Sequence, residues 1–263
     1  MPELPEVETI VRGLSDLRGA VIERVEVFDP RLCFPNKTLT GAVVETITRR
    51  GKYIVFEFSG GRSLAIHLRM SGRLTRSCSP KERKHLRFSL HLDRGTIHFI
   101  NPRRLGTVTY SDNGFPYELG IEPLGEHFTP ARLEEMVQAS RAPIKALLMD
   151  QKRIAGIGNI YAMEALWQAK IDPRCPGKEL SNTKTKALHA AVQGVLKEAI
   201  TQMGSTLGTS VSDYRNTNGE EGTFQHRFAV YNREGEGCVR CGAAIERIKQ
   251  SGRSTYFCPN CQR

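Results

Sequence analysis

Between residues 20 and 110 the apolar positions follow a strand rhythm. Leu86-Arg-Phe-Ser-Leu-His-Leu92 alternates strictly, while Lys52-Tyr-Ile-Val-Phe-Glu-Phe58 and Thr96-Ile-His-Phe-Ile100 have the β-branched and aromatic content of strands. Gly60-Gly61 and Asp93-Arg-Gly95 read as hairpin turns between them. An antiparallel sandwich or barrel is expected. Ahead of it, Val7, Ile10, Val11 and Leu14 form an apolar face behind Pro5, with Glu6 and Glu8 complementing the dipole of a first turn, which predicts a helix over 5–18.

After residue 110 the rhythm changes. Asn113-Gly114, Phe115-Pro116, Glu122-Pro123 and Thr129-Pro130 crowd into a boundary stretch at 111–130. Leu, Ala, Met and Val then recur at helical spacing, predicting helices over 132–139, 143–151, 160–169 and 183–203. Residues 204–225, rich in Gly, Ser, Thr, Asn and Asp, read as a mobile loop before a final compact segment.

Composition narrows the class. The 263 residues suffice for two domains, or for one with a small appendage. No apolar stretch approaches the roughly 18 residues of a membrane span, and the N-terminus lacks the pattern of a signal peptide, so a cytosolic protein without membrane partners is expected. Lys and Arg exceed Asp and Glu by 38 to 28, a net charge of +10. Such an excess favours a polyanionic partner, nucleic acid first. Seven cysteines, an odd number without an export signal, argue against a disulfide framework.

Four of them form a stronger pattern. Cys238-Val-Arg-Cys241 and Cys258-Pro-Asn-Cys261 are two C-x2-C pairs at the spacing of a four-thiolate zinc site, with Gly242 and Pro259-Asn260 supplying tight turns. A closed site of this kind has no open position for water, so its expected role is folding. Between the pairs, two short strands around Gln250-Ser-Gly-Arg253 make a hairpin with Lys249 and Arg253 near its tip, fit to probe a phosphate-lined groove. Cys33, Cys78 and Cys175 lack partners at metal spacing and read as buried or incidental thiols.

Two further segments carry candidate chemistry. Ile154-Ala-Gly-Ile-Gly-Asn-Ile-Tyr161 joins helical segments through a glycine turn whose N–H groups suit an anion. Asn159 there reads equally as a helix cap or a phosphate donor. At the start of the chain, removal of Met1 would expose Pro2, a secondary amine beside the carboxylate of Glu3. Its attack on an aldehyde-level carbon gives a permanently charged iminium, an electron sink for later eliminations, with Glu3 placed to move protons. A simple helix start accounts for Glu6 and Glu8 but leaves Pro2 and Glu3 unexplained.

Taken together, Met1-Pro-Glu-Leu-Pro-Glu-Val-Glu-Thr9, Arg50-Gly-Lys-Tyr53, His67-Leu-Arg-Met-Ser-Gly72, Asn101-Pro-Arg-Arg-Leu-Gly106, Ala155-Gly-Ile-Gly-Asn-Ile-Tyr161 and the cysteine hairpin ending Cys258-Pro-Asn-Cys-Gln262 give a chain that resembles bacterial formamidopyrimidine-DNA glycosylases over its whole length. The resemblance implies an α+β multidomain fold. Its parts are a catalytic antiparallel β-sandwich with an N-terminal helix over 1–120, a helix-two-turn-helix domain over 121–225 and a zinc-finger hairpin over 226–263.

It also implies a base-excision-repair enzyme that removes oxidised purines from double-stranded DNA and then nicks the strand. Pro2 is the implied nucleophile at C1′, Glu3 the acid and base, Lys52 the assistant in the first elimination, and Arg253 the phosphate grip associated with the second. Met70 and Arg103 match residues that fill the vacancy left by the extruded base. The third such position holds Leu105 where the family usually carries an aromatic, so apolar bulk can wedge into the stack without stacking as a ring. His85 and Asn159 match backbone-binding residues, although His85 beside Lys84 also reads as a surface residue and Lys52 as one of a basic run. Ser205–Arg215 is a few residues longer than the usual family form, in which a nearby loop closes over the flipped base. One structural zinc, a monomer and a bacterial, nucleoid-associated location complete the expectation. The rivals are the related endonuclease VIII type, which prefers oxidised pyrimidines, and a non-catalytic zinc-ribbon DNA binder; Leu4 and Val7-Glu-Thr9 favour the purine enzyme.

Overall fold

A computed structural model describes residues 1–32, 39–208 and 213–263. Cys33 and positions 209–212 of the long 205–215 stretch lie outside the described residues. The chain forms two compact units: 1–117 with 202–225, and 118–201 with 226–263.

In the first unit, α1 (Leu4–Arg12) precedes eight strands among the described residues. These are β1 (Ile22–Val27), β2 (Val44–Arg50), β3 (Tyr53–Phe58), β4 (Arg62–His67), β5 (Arg73–Thr75), β6 (Leu86–Leu92), β7 (Gly95–Ile100) and β8 (Thr107–Ser111). They make two four-stranded antiparallel sheets, ordered β1-β6-β7-β5 and β2-β3-β4-β8. One apolar cluster joins them: Ile22, Phe88, Leu90, Ile97 and Phe99 from the first sheet meet Val44, Ile54, Phe56, Leu64 and Ile66 from the second. This is the expected sandwich, and the period-2 positions of β6 explain it, since Phe88, Leu90 and Leu92 all enter that core. Full burial of each such side chain contributes about 1.5–3 kcal/mol.

The first helix is shorter than its periodicity suggests. It stops at Arg12, and a tighter turn over Ser15–Leu17 follows. A Cβ at Gly13 would lie 2.5 Å from Thr217 Oγ1, so the chain is pressed against a neighbouring segment at this point. Bending here still brings Leu14 and Leu17 into the same core as Val7 and Ile10.

Composition reads 204–225 as a mobile loop and the resemblance places it in the helical domain, but its described residues cluster with the sandwich. The Ser205 N–H donates to Glu6 Oε1 (2.8 Å), the Thr206 hydroxyl donates to the Tyr214 carbonyl (2.9 Å), and the Arg76 N–H donates to the Thr217 carbonyl (3.1 Å). Long-range hydrogen bonds of this sort leave no trace in composition.

The second unit contains α2 (Pro130–Gln138), α3 (Ile144–Leu148), α4 (Asn159–Gln168), α5 (Asn182–Thr201) and the hairpin β9 (Glu246–Gln250) and β10 (Arg253–Phe257). The expected helix over 143–151 is cut to α3. Beyond Met149 the chain turns, closed by the Ile154 N–H on the Asp150 carbonyl (2.9 Å). The zinc-finger segment packs here, with Met163 of α4 among Val230, Cys238, Ile245, Tyr256 and Cys258. Glu164, also on α4, is buried and accepts the backbone N–H groups of Ala229, Val230 and Tyr231 at 2.8, 3.1 and 2.8 Å. No helix among the described residues is long and apolar enough to cross a membrane.

Candidate active site and nucleic-acid interface

The N-terminal residues are buried where a flexible tail would be exposed. Pro2 and Glu3 are both buried, and Glu3 caps α1. Its N–H donates to Glu6 Oε2 (2.7 Å) while its carboxylate accepts the Glu6 N–H, a reciprocal capping box. Glu6 therefore does more than complement the dipole, because its other oxygen holds Ser205. Glu8 ties the same helix to the β2–β3 turn: its Oε2 accepts from Arg49 Nε at 3.0 Å, and Arg49 Nη1 donates to the Gly51 carbonyl at 3.2 Å. Lys52 is the next residue of that turn and is only 6% exposed. Pro2, Glu3 and Lys52 are thus carried by elements that are bonded to one another.

A second group lies on two turns of the same unit. Met70 and Leu105 are apolar yet about half exposed, at 51% and 49%. Their turns are pinned together by two buried residues, Ser71 and Asn101, to which sequence reasoning assigns no role. The Ser71 hydroxyl donates to Asn101 Oδ1 (3.0 Å) and accepts the Arg103 N–H (3.3 Å), and Arg103 Nη2 donates to the Met70 carbonyl (3.2 Å). Gly106 closes the second turn, since a Cβ there would meet Asn101 Nδ2 at 2.7 Å and Phe99 Cζ at 2.8 Å. His85 joins the same network, its carbonyl accepting the Asn101 N–H at 2.9 Å. Burial, then Lys84 and Arg87, hold its imidazole below the usual histidine range.

Ser71→Ala should cost roughly 1–3 kcal/mol, because it leaves the Asn101 amide oxygen short of a donor. Denaturant melts of the two proteins measure this. Equal midpoints would show that the pin between the turns contributes nothing.

His67 stands at the end of β4, opposite Tyr53, with their rings 4.8 Å apart edge to face. Its Nδ1 accepts the Arg69 N–H (3.0 Å), which puts the proton of the neutral ring on Nε2. Burial first, then Arg69 and Lys52, push its pKa from 6.5 down to about 3. The unfolded chain takes up this proton near pH 6.5 and the folded one only near 3, so stability falls as pH drops through that window. The expected contribution to the slope is at most about 1.4 kcal/mol per pH unit. Unfolding curves at several pH values should show a shallower acid loss for His67→Gln; an unchanged slope would assign the loss to other groups.

In the second unit the glycine turn, α3 and the hairpin meet at one backbone group. Asn159 Nδ2 donates to the Ser254 carbonyl at 3.2 Å, and its Oδ1 is buried without a hydrogen-bond partner among the described residues. Lys145, read from the sequence only as part of an apolar helix, is buried and donates from Nζ to Thr255 Oγ1 (2.6 Å) and to the Ser254 carbonyl (3.3 Å). Its signal in the sequence would have been a charge at a core-facing helical position. Arg253 precedes Ser254, and with Lys145, Ala146, Met149, Gln250 and Ser251 it lines a cavity of about 170 Å³. Ser251 and Gly252 both have positive φ, 50° and 75°, the two-residue turn that fixes this hairpin. Gln151 braces the glycine turn, accepting the Gly156 N–H at 2.9 Å and donating to the Ile157 carbonyl at 2.8 Å.

The four cysteines converge as their spacing requires. Their sulfurs lie within 4.8 Å of one another, with Cys238–Cys261 at 4.0 Å and Cys241–Cys258 at 3.5 Å. Tetrahedral zinc with thiolate bonds of about 2.3 Å would place sulfurs about 3.8 Å apart, so the cluster fits the ion. Trp167 Nε1 and the Arg240 N–H, each 3.5 Å away, point at Cys238 Sγ and orient it. Cys78 and Cys175 are half-buried and outside the cluster.

Three family models match along the chain. The formamidopyrimidine-DNA glycosylase N-terminal domain covers 1–108, the formamidopyrimidine-DNA glycosylase H2TH domain covers 119–211, and the zinc finger found in FPG and IleRS covers 235–263. The chain belongs to the formamidopyrimidine-DNA glycosylase family. The relative named formamidopyrimidine-DNA glycosylase from Chloroflexus aurantiacus is 46% identical, with all of this chain and 98% of the relative aligned. That from Ruegeria pomeroyi is 43% identical with both chains fully covered. Among solved structures, the MutM (FPG) protein from Thermus thermophilus superposes with a TM-score of 0.90 at 40% identity, covering 99% of this chain and 98% of that one. A Lactococcus lactis FPG in complex with abasic-site DNA gives 0.87 at 37% identity, covering 99% of each. Family membership accounts for the fold and the zinc finger together. The compact units divide the chain differently from these matches, grouping the described residues of 202–225 with the sandwich.

Proposed function

We propose that this protein removes oxidised purines, 8-oxoguanine opposite cytosine and ring-opened formamidopyrimidines, from duplex DNA, and then cleaves the strand at the resulting site. The observation that carries this is the buried Pro2-Glu3 start, with Glu3 locked by its capping box and the helix bonded through Glu8 and Arg49 to the turn that bears Lys52. With Met1 removed, the Pro2 nitrogen attacks C1′ and the glycosidic bond breaks. The product iminium lends its charge to the next steps. Glu3 moves protons at the sugar, and Lys52 assists removal of the first phosphate by β-elimination. Arg253 grips the flanking phosphates for the δ-elimination, leaving a one-nucleotide gap.

Met70, Arg103 and Leu105 fill the space left by the extruded base, on turns stiffened by Ser71 and Asn101. His85 and Asn159 bind backbone phosphates. That a solved relative was captured with Fapy-dG-containing DNA supports the lesion class. The net charge of +10 suits work on DNA, which the protein does as a monomer on the bacterial nucleoid.

Borohydride trapping tests the reading. The Met1-processed protein, incubated with a duplex holding one 8-oxoguanine opposite cytosine, should form a reduced adduct that maps to Pro2 by mass spectrometry. An adduct only on a duplex with an oxidised pyrimidine would instead assign the endonuclease VIII chemistry. No adduct on either would leave a DNA-binding protein.

A further inference from the structure

A concavity of about 360 Å³ in the sandwich unit is lined by Asp29, Arg31, Arg87, Arg104 and Tyr117, among others, and by none of the residues implicated in catalysis or in filling the vacancy of the extruded base. At its floor the Asp29 carboxylate is buried and wrapped by Arg31, which donates from its backbone N–H (3.2 Å), Nε (3.1 Å) and Nη2 (3.0 Å). Those bonds hold the Asp29 pKa down at about 2, so it stays ionised. Two more guanidiniums face the same carboxylate at longer range, Arg87 Nε at 3.9 Å and Arg104 Nε at 3.8 Å. Three cations against one anion leave two positive charges in excess.

Arg87 makes that excess costly, because its side chain is only 6% exposed and its hydrogen bond among the described residues runs from Nε to the Asn101 carbonyl at 2.9 Å. Arg104 sits between Arg103 and Leu105 in left-handed backbone, φ 55°, in a turn closed by its own N–H on the Asn101 carbonyl (3.2 Å). A conformation that L side chains rarely adopt thus directs this arginine to Asp29. Tyr117 supplies a flat wall, stacked on Tyr53 at 4.8 Å and hydrogen-bonded to Thr109 Oγ1 at 2.6 Å.

We propose that Arg87 and Arg104 form a phosphate site, which takes one phosphate-bearing group against the Tyr117 wall and thereby fixes the turn that carries Arg103 and Leu105. A phosphate dianion or diester supplies the charge the site lacks, and its oxygens match the geometry of a guanidinium fork. The group comes either from a DNA backbone or from a free nucleotide.

The experiment uses the full zinc-loaded chain. Inorganic phosphate and dAMP are titrated while the arginine Nε–H resonances are followed by NMR, and duplex affinity is measured against salt for the wild type, Arg87→Gln and Arg104→Gln. Saturable shifts at Arg87 and Arg104, weakened about tenfold by either substitution, are expected; Arg87→Lys should recover part of the loss. If dAMP competes with duplex and each Gln variant lowers the salt slope by about 0.9, the phosphate belongs to DNA. If the shifts occur without competition and with an unchanged slope, the site holds a free nucleotide. A lower slope without shifts still places a backbone phosphate there. Neither shifts nor a slope change in either variant overturns the proposal. Because Arg104 is half exposed, its variant remains informative if replacement of the buried Arg87 prevents folding.

Discussion

Pro2→Gly and Glu3→Gln should each lower base release from an 8-oxoguanine duplex by about 10²–10⁴-fold, equivalent to roughly 3–5 kcal/mol of barrier. The reasons differ. Glycine still offers an amine, but a primary one, whose adduct is a neutral imine until it gains a proton; the permanently charged iminium of proline is lost. Glutamine keeps an oxygen to accept the Glu6 N–H, so the capping box survives while the proton-moving group does not. Neither change should disturb the fold, since Pro5 and the buried Leu4, Val7 and Ile10 still define α1. Single-turnover kinetics with a folding control by circular dichroism would measure the effect. Wild-type rates in both variants would remove the N-terminal amine from the mechanism and restore the reading of a plain helix start.

Loss of zinc should be equally severe but should act on structure. The segment 235–263 has few apolar residues of its own, and metal binding in comparable peptides supplies an apparent ~10–16 kcal/mol. Chelation, or Cys261→Ser, should abolish hydrogen-exchange protection across Cys238–Cys261 while leaving the sandwich strands protected. Duplex affinity should fall at least about tenfold, because Arg253 and the Ser254 carbonyl that receives Asn159 and Lys145 lose their fixed positions. Protection and affinity both unchanged after verified metal removal would show that the hairpin folds on side-chain packing alone. Neither result depends on the identity of the lesion.

How much of this was readable in advance differed with the kind of interaction. The strands of the sandwich were legible because each alternation is local and its burial follows from the pleat. The helices beginning near 130, 160 and 182 were legible for the same reason, with ends off by one or two residues. The helix expected over 5–18 and that over 143–151 were overextended. The first meets long-range crowding, at Gly13 against Thr217, and the second gives way to a local turn in which Gln151 bonds Gly156 and Ile157. Glu6 and Glu8 looked like ordinary first-turn acids, yet they anchor Ser205 and Arg49.

By itself, then, the sequence determined the strand and helix content, the metal ligands and the candidate nucleophile, because each depends on residue type and near-neighbour spacing. Two cysteine pairs at a tight separation leave the metal few alternatives, and a proline at position 2 is either exposed as an amine or not. Only the tertiary structure decided that the described residues of 202–225 group with the sandwich, that Ser71 and Asn101 pin the two exposed turns, that Lys145 is buried against the hairpin, and that three arginines gather around Asp29. Several of these arrangements join residues from 30 to 199 positions apart. Their energies come from desolvation and hydrogen-bond geometry, which exist only once the chain has closed on itself.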